Sequence, residues 1–105
     1  MQPDQAQLDE LVRRIVDAVH PLRIILFGSA ARGEMRVGSD VDVLIVLPDD
    51  ADPLRAGQFL HTRFQGLKVP VDVVACTGAE LERLRRRVGL IYRTVLREGR
   101  ELYAA

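Results

Sequence analysis

The feature that most constrains this sequence is a segment in which two apolar runs are joined through glycine and acidic residues. The first run, residues 22–27, ends in Gly28-Ser29, and the second, residues 40–47, is entered through Asp40 and Asp42. Short apolar runs bounded by turn residues are typical of buried strands. A glycine-serine turn beside two carboxylates predicts a site for phosphate and metal between the ends of those strands.

Hydrophobic spacing predicts the remaining elements. Helices are expected over residues 4–19, over a short segment at 30–32 and from 53 to about 64, and a third strand is expected over 69–75. One long helix is predicted to begin after Thr77 and to end at Gly99. Its apolar stripe is expected to contain Leu81, Leu84, Val88, Ile91 and Val95.

Three of the predicted helices carry capping signals at their start. The pairs are Asp4 with Gln7, Asp52 with Pro53, and Thr77 with Glu80. The helix that begins at residue 53 is predicted to bury Leu54, Phe59, Leu60 and Phe64.

This order of elements predicts an α/β (α+β) domain, in which a small mixed sheet of three to four strands is flanked by helices. At 105 residues with 48% hydrophobic content, the chain is expected to form a single domain, 1–105.

Charge and composition narrow the classes of partner. Fifteen basic and fifteen acidic residues give a formal net charge of zero, and aromatic residues make up only 5%. Nucleic acid is therefore not an expected direct partner. No apolar run approaches the roughly 20 residues of a membrane span, and no secretory leader is visible. We predict a cytoplasmic protein without a membrane partner.

Three carboxylates are the candidate metal ligands. Asp40 and Asp42 lie two residues apart on the predicted second strand, so both point to one face. Such like charges repel unless a cation lies between them, and magnesium binds one or two carboxylates together with substrate phosphates. Asp72 lies among valines, which predict burial. If its strand neighbours the second strand, Asp72 completes a cluster able to hold two metal ions.

Each candidate also has a plainer interpretation. Asp40 and Asp42 are compatible with solvated acids at a strand entrance, and Asp72 with an edge-strand acid that faces water. Ser29 is compatible with a helix cap, and Arg32 with an ion pair to Glu34. The basic residues Arg83 and 85–87 indicate either a solvated helix face or a contact with a partner. Cys76, the only cysteine, is predicted to be a small buried residue.

The spacing of the central motif is specific to one superfamily. Gly28-Ser29, followed after ten residues by Asp40-Val41-Asp42, resembles the signature of the DNA polymerase beta superfamily of nucleotidyltransferases. Asp72 falls where that pattern places its third acid. The longer form, residues 28–33 with 39–42, is similar to the minimal nucleotidyltransferases (MNT), small proteins that pair with HEPN-domain partners in toxin–antitoxin modules.

The resemblance implies a polymerase beta-like nucleotidyltransferase fold and a role for each motif residue. Asp40 and Asp42 would ligate two magnesium ions, and Asp72 would ligate the catalytic metal and assist deprotonation of the acceptor. Gly28 and Ser29 would hold the triphosphate. Arg32 would touch phosphate or acceptor.

By the same resemblance, the expected reaction is magnesium-dependent transfer of a nucleoside monophosphate, AMP from ATP, to a hydroxyl. A chain of this length has no second domain to present an acceptor, so a partner or a second copy is expected to complete the site. The implied partner is a HEPN ribonuclease toxin modified on a tyrosine, which would make this chain an antitoxin. Two alternatives stay open: an antitoxin that acts by contact alone, and a nucleotidyltransferase that modifies a small molecule or RNA.

Overall fold

The computed structural model describes residues 4–35, 40–87 and 91–105. In these ranges the chain forms α1 (Gln5–Val19), β1 (Arg23–Phe27), α2 (Gly28–Arg32), β2 (Val41–Leu47), α3 (Pro53–Arg63), β3 (Val71–Thr77), α4 (Gly78–Leu84), α5 (Ile91–Glu98) and β4 (Arg100–Ala104). The strands form one mixed sheet in the order β3-β2-β1-β4. β1 is antiparallel to both β2 and β4, whereas β2 and β3 are parallel.

The predicted caps are present. The Asp4 carboxylate accepts a hydrogen bond from the backbone N–H of Gln7 at 2.8 Å, and the Gln7 side chain accepts one from the Asp4 N–H at 3.0 Å. Thr77 and Glu80 form the same reciprocal box at the start of α4, and Asp52 caps α3. These bonds satisfy N–H groups that a helix leaves unpaired, which explains why α1, α3 and α4 begin where they do.

Two layers of helices cover the two faces of the sheet. On β2, Val43 and Ile45 belong to a core that includes residues of α1 and α3, whereas Leu44 and Val46 belong to a second core with residues of α4 and α5. Alternation along a strand places successive side chains on opposite faces. The prediction that the first apolar run forms a buried strand is confirmed, and β1 is buried on both faces, because Ile24 and Ile25 belong to different cores.

The prediction of one long final helix is wrong. α4 ends at Leu84, a turn follows in which the N–H of Arg87 donates to the Leu84 carbonyl at 3.1 Å, and α5 begins at Ile91. Val88 lies outside the described residues. A straight helix over 78–98 would extend about 30 Å, longer than the about 23 Å of a seven-residue strand. Two shorter helices cover the same face without overhanging it.

Sequence analysis placed no strand after the last helix, yet β4 lies there and pairs with β1. β4 begins with Arg100 and Glu101, and these charged residues interrupt the apolar pattern by which a strand is recognised. They suit an edge position, where Glu101 accepts an ion-paired hydrogen bond from Arg23 at 2.7 Å. The third strand is also shifted, since β3 begins at Val71 rather than at residue 69. Pro70 precedes it and has no N–H for a ladder.

The buried side of α3 differs from the prediction. Leu60 is fully buried and Phe64 packs against the same core, but Leu54 is 72% exposed and Phe59 is 45% exposed. Residues 56, 60 and 64 recur every fourth position and form the buried stripe, so the other two lie on a different face. The Arg63 guanidinium lies 5.3 Å from the centre of the Phe59 ring.

None of the helices in the described ranges has both the length and the apolar character needed to cross a membrane.

Gly99, immediately after α5, lies against β1 where no side chain fits. A methyl group there would collide with the Val95 carbonyl oxygen and the Ile25 side chain and would lie 3.1 Å from the Leu26 carbonyl oxygen. Because two of these neighbours are backbone atoms, we expect Gly99→Ala to lower the free energy of unfolding by about 1–3 kcal/mol in urea titrations. Gly57→Ala is the matched control: it lies inside α3 with no atom within 4 Å of the added carbon. It should raise stability by about 0.5–1 kcal/mol. Equal effects of the two changes would contradict the packing described here.

Candidate active site

The predicted acids lie at one end of the sheet. In the parallel pairing of β2 with β3, Asp42 lies directly opposite Asp72, and in the antiparallel pairing with β1 it lies opposite Phe27. Neighbouring strands are about 4.8 Å apart, and paired residues direct their side chains to the same face. Asp40 precedes β2 by one residue. The structure therefore brings the three acids together at the end of the sheet where β2 and β3 begin.

Burial and like charges both act on Asp42. It is half-buried, and this burial, followed by the charges of Asp72 and Asp40, raises the pKa of its carboxyl above the ordinary value. The Arg32 guanidinium acts in the opposite direction. An acid in such surroundings is stabilised by a cation placed between it and its neighbours.

The predicted burial of Asp72 is wrong. Asp72 is exposed because β3 is an edge strand of the sheet. The valines beside it do not bury it, since Val71 and Val73 pack against the α1–α3 core on the opposite face. Asp72 is thus an edge-strand acid that faces water and also lies opposite Asp42.

Gly28 leaves room for the Asp42 carboxylate. Its φ of +70° lies in the left-handed region, and a side-chain carbon at Gly28 would collide with Oδ2 of Asp42 and lie 3.3 Å from its Cγ. Glycine is therefore required twice, for the backbone conformation and for the space. The predicted phosphate turn and the predicted metal-binding strand are in direct contact here.

The turn itself is the first part of α2. The helix begins at Gly28, two residues earlier than predicted, and Phe27 at the cap position makes no side-chain cap hydrogen bond. Ser29 lies inside the helix and is not its cap; its carbonyl accepts from the N–H of Glu34 at 2.8 Å. The first N–H groups of α2 are thus left without a side-chain cap at the end where Asp42 lies.

Arg32 forms the surface ion pair that the sequence allowed and also lies near Asp42. It is exposed and forms an ion pair with Glu34 at 3.1 Å, as the surface interpretation requires. It also acts on the pKa of Asp42 and lines a cavity that Gly28 borders. Arg32 is therefore close to both Asp42 and that cavity.

The three acids supply some of the oxygen ligands of a magnesium site, and the phosphates of a substrate would supply others. Within 4–35, 40–87 and 91–105, no three side chains of the types His, Cys, Asp and Glu are placed so that they could hold a metal ion by themselves. The carboxylates at positions 40, 42 and 72 nevertheless supply hard oxygen ligands, and the half-buried Asp42 is opposed by like charge. Magnesium is commonly bound by one or two carboxylates plus substrate phosphates. The donor set fits such an arrangement.

A basic cleft lies between α4 and α5, away from the acids. It has a volume of about 550 Å³ and is lined by Leu96 and by Arg85, Arg86, Arg93 and Arg97. Arg85 pairs with Glu82 at 3.1 Å. Two of these arginines were named as a basic patch from the sequence. The other two, Arg93 and Arg97, lie on α5 and were not part of that patch.

Cys76 is buried, as predicted, and takes no part in the site. Burial, with a smaller contribution from the Glu80 charge, raises the pKa of its thiol to about 11. The folded protein therefore holds the neutral thiol at pH 8, whereas an unfolded chain with a thiol pKa of about 8.5 is partly ionised. We expect iodoacetamide to modify Cys76 at least about 100-fold more slowly in the native protein than in about 8 M urea. The rate in the native protein should rise with pH up to about pH 11. Equal rates at pH 8 would show an accessible thiolate.

Together, the mixed four-stranded sheet, its two helical layers and the acids at the edge next to a glycine turn define a polymerase beta-like nucleotidyltransferase fold. The sequence matches the nucleotidyltransferase domain family over residues 8–100, and this chain belongs to that family.

Solved structures with the same fold extend the comparison. A chain of a toxin–antitoxin complex with AMP-PNP superposes with a TM-score of 0.70 at 23% identity, covering 93% of this chain and 73% of that one. A chain from a tri-AMPylated Shewanella oneidensis HEPN toxin in complex with MNT antitoxin gives 0.64 at 21% identity, covering 96% and 72%. A nucleotidyltransferase from Sulfolobus solfataricus, described as putative in its own structure, gives 0.61 at 20% identity, covering 94% and 78%. No curated protein sequence matches this chain significantly.

Proposed function

We propose that this chain is a minimal nucleotidyltransferase that transfers AMP from ATP, with magnesium, to a hydroxyl of a partner protein. The observation that carries the proposal is the contact of the glycine turn with the acids. Gly28 leaves space for the carboxylate of Asp42, and Asp42 lies opposite Asp72 across the parallel β2–β3 pair. A triphosphate held at the turn would lie directly beside the carboxylates.

Each residue has a role in this proposal. Gly28 and Ser29 bind the phosphates through the uncapped N–H groups at the start of α2. Asp40, Asp42 and Asp72 hold magnesium, two ions in the full arrangement. Bound magnesium supplies positive charge that stabilises the phosphate oxygens and favours ionisation of the acceptor. Arg32 lies close enough to Asp42 to add a further positive charge beside the phosphates.

The reaction forms one bond and breaks one. The acceptor oxygen attacks the α-phosphorus in line, and the bond between that phosphorus and the bridging β-phosphate oxygen breaks. Pyrophosphate leaves, and the hydroxyl proton passes to the exposed carboxylate of Asp72. Positioning and charge stabilisation, rather than a covalent enzyme intermediate, account for the rate.

The proposed partner is a HEPN toxin, with a tyrosine hydroxyl as acceptor. The support is the shared fold of two complexes, one described as a toxin–antitoxin with AMP-PNP and one as a tri-AMPylated HEPN toxin with MNT antitoxin. In this proposal the chain acts as an antitoxin, and the partner completes the site by bringing the acceptor.

The test is incubation of the purified chain with the product of a neighbouring HEPN-type gene, ATP and magnesium, followed by intact mass spectrometry of the HEPN protein. We expect its mass to increase by one or more AMP units, its ribonuclease activity to fall, and both changes to stop when EDTA is added. Neutralisation without any mass change would contradict the proposal and identify an antitoxin that acts by contact alone.

A further inference from the structure

A small pocket borders the glycine turn, and its lining includes none of the three acids. It has a volume of about 240 Å³ and lies between the end of β1, α2 and α5. Gly28 and Arg32 form one side, and residues of α5 form the other. We call it the α2–α5 pocket. The turn proposed to hold the phosphates is thus also a wall of this pocket.

The pocket lies on the same face of the sheet as the acids. Phe27, which lines it, pairs in register with Asp42, and paired residues share a face. Val95, a second lining residue, is buried in the core on that face together with Leu44. A ligand bound between the acids and the turn therefore reaches the pocket without crossing the sheet.

The walls of the pocket suit a flat heterocycle. Phe27, Val95 and Ile91 supply apolar surface, and Ile91 is 45% exposed although it is a large apolar side chain. The exposed side chains of Thr94 and Glu98 supply a hydroxyl and a carboxylate. A purine with an exocyclic amino group has apolar faces and an edge that donates hydrogen bonds to such oxygens.

α5 is held in place beside the turn. Gly99 packs so closely against β1 that an added methyl group would collide with Ile25 and with backbone atoms. The end of α5 that carries Glu98 is therefore fixed relative to β1, and the pocket exists without ligand. A preformed pocket avoids the cost of ordering its walls when a ligand binds.

We infer that the α2–α5 pocket binds the nucleobase of the donor nucleotide, with Phe27, Ile91 and Val95 against its faces and with Thr94 and Glu98 at its edge. The inference rests on the proposed function, because the proposed position of the triphosphate relates the pocket to the donor. Arg32, which lines the pocket and acts on Asp42, then lies beside the sugar and phosphates.

An acceptor tyrosine is the competing occupant, and its chemistry argues against it. The hydroxyl lies at the tip of the tyrosine ring, so a ring inserted into the pocket would place the nucleophile among residues that do not include Asp40, Asp42 or Asp72. A base in the pocket lies beside Gly28, which also borders the turn proposed to hold the phosphates. The lining of the pocket therefore favours the donor.

The test compares two probes, AMP-PNP and inorganic triphosphate, by isothermal titration calorimetry with magnesium. Thr94→Phe fills the pocket from an exposed position and should not disturb the core. Arg93→Phe places the same ring at the neighbouring position, which lines the basic cleft instead. We expect the wild-type protein to bind AMP-PNP about tenfold or more tightly than triphosphate. Thr94→Phe should weaken AMP-PNP binding to the level of triphosphate binding and leave triphosphate binding unchanged. Arg93→Phe should preserve the tenfold difference between the two probes.

The outcomes separate this inference from the function on which it rests. Equal binding of both probes to the wild type, or an unchanged ratio in Thr94→Phe, overturns the assignment of the pocket to the base and leaves the proposed function standing. If Thr94→Phe leaves the ratio of AMP-PNP to triphosphate affinity unchanged but blocks AMP transfer to the partner, the pocket is assigned to the acceptor instead. Failure of both probes to bind overturns the proposed function and the pocket assignment together.

Discussion

Asp42→Asn is expected to lower nucleotidyl transfer by about 1,000-fold or more while leaving the fold intact. Asp42 is the central acid, opposite Asp72 and two residues from Asp40. Loss of its charge weakens the proposed magnesium site, whose ion would contribute several kcal/mol to the transition state, and each 1.4 kcal/mol is about tenfold in rate. The measurement is the initial rate of AMP transfer at saturating ATP and magnesium.

The stability of Asp42→Asn should not fall together with its activity. Burial and two like charges act against the ionised Asp42 carboxyl, so asparagine relieves repulsion and thermal unfolding should occur at the same or a higher temperature. Asp17→Asn, an exposed acid on α1, is the control and should leave the rate unchanged. A double loss of activity and stability in Asp42→Asn would indicate a structural role for this acid.

Gly28→Ala is expected to lower transfer by about 100-fold, because it combines backbone strain with displacement of the Asp42 carboxylate, which is proposed to be catalytic. A left-handed conformation costs a residue with a side chain about 1–2 kcal/mol. In addition, the methyl group would occupy the space of Asp42 Oδ2. A displacement of about 1 Å at a reacting centre is sufficient for a 100-fold loss. Both the rate and the free energy of unfolding should be measured.

Gly33→Ala is the matched control for this change. Gly33 has a φ of +73°, close to that of Gly28, but no atom lies within 4 Å of an added side-chain carbon. Its substitution should therefore reproduce the loss of stability and preserve most of the activity. If both variants lose activity equally, the loss is due to the backbone conformation near α2 and not to the space that Gly28 leaves for Asp42.

The local parts of the candidate site were predictable from the sequence. Asp40 and Asp42 share a face because they are two residues apart, and the glycine at position 28 follows an apolar run; neither statement depends on distant contacts. Capping pairs such as Asp4 with Gln7 were predictable for the same reason.

The non-local parts were not predictable from spacing within a strand; only the family resemblance indicated Asp72 as the third acid. Asp42 faces Asp72 because β2 and β3 are parallel and in that register, which no pattern within either strand specifies. The exposure of Asp72 follows from the position of β3 at the sheet edge. The regular apolar spacing across residues 81–95 predicted one helix, but α4 ends at Leu84, a turn follows, and α5 begins at Ile91. That error concealed Thr94 and Glu98 as candidate binding residues, since the pocket depends on α5 packing beside α2.

The most direct test of the account uses ATP labelled with phosphorus-32 at either the α or the γ position, in the presence of magnesium and the HEPN-type partner. The account predicts that α-label enters the partner protein, that γ-label appears only in pyrophosphate, and that Asp42→Asn lowers the transfer of α-label by about 1,000-fold or more. Entry of γ-label into the partner would show phosphoryl rather than nucleotidyl transfer. Absence of α-label from the partner, with wild-type protein and magnesium present, would contradict the central claim.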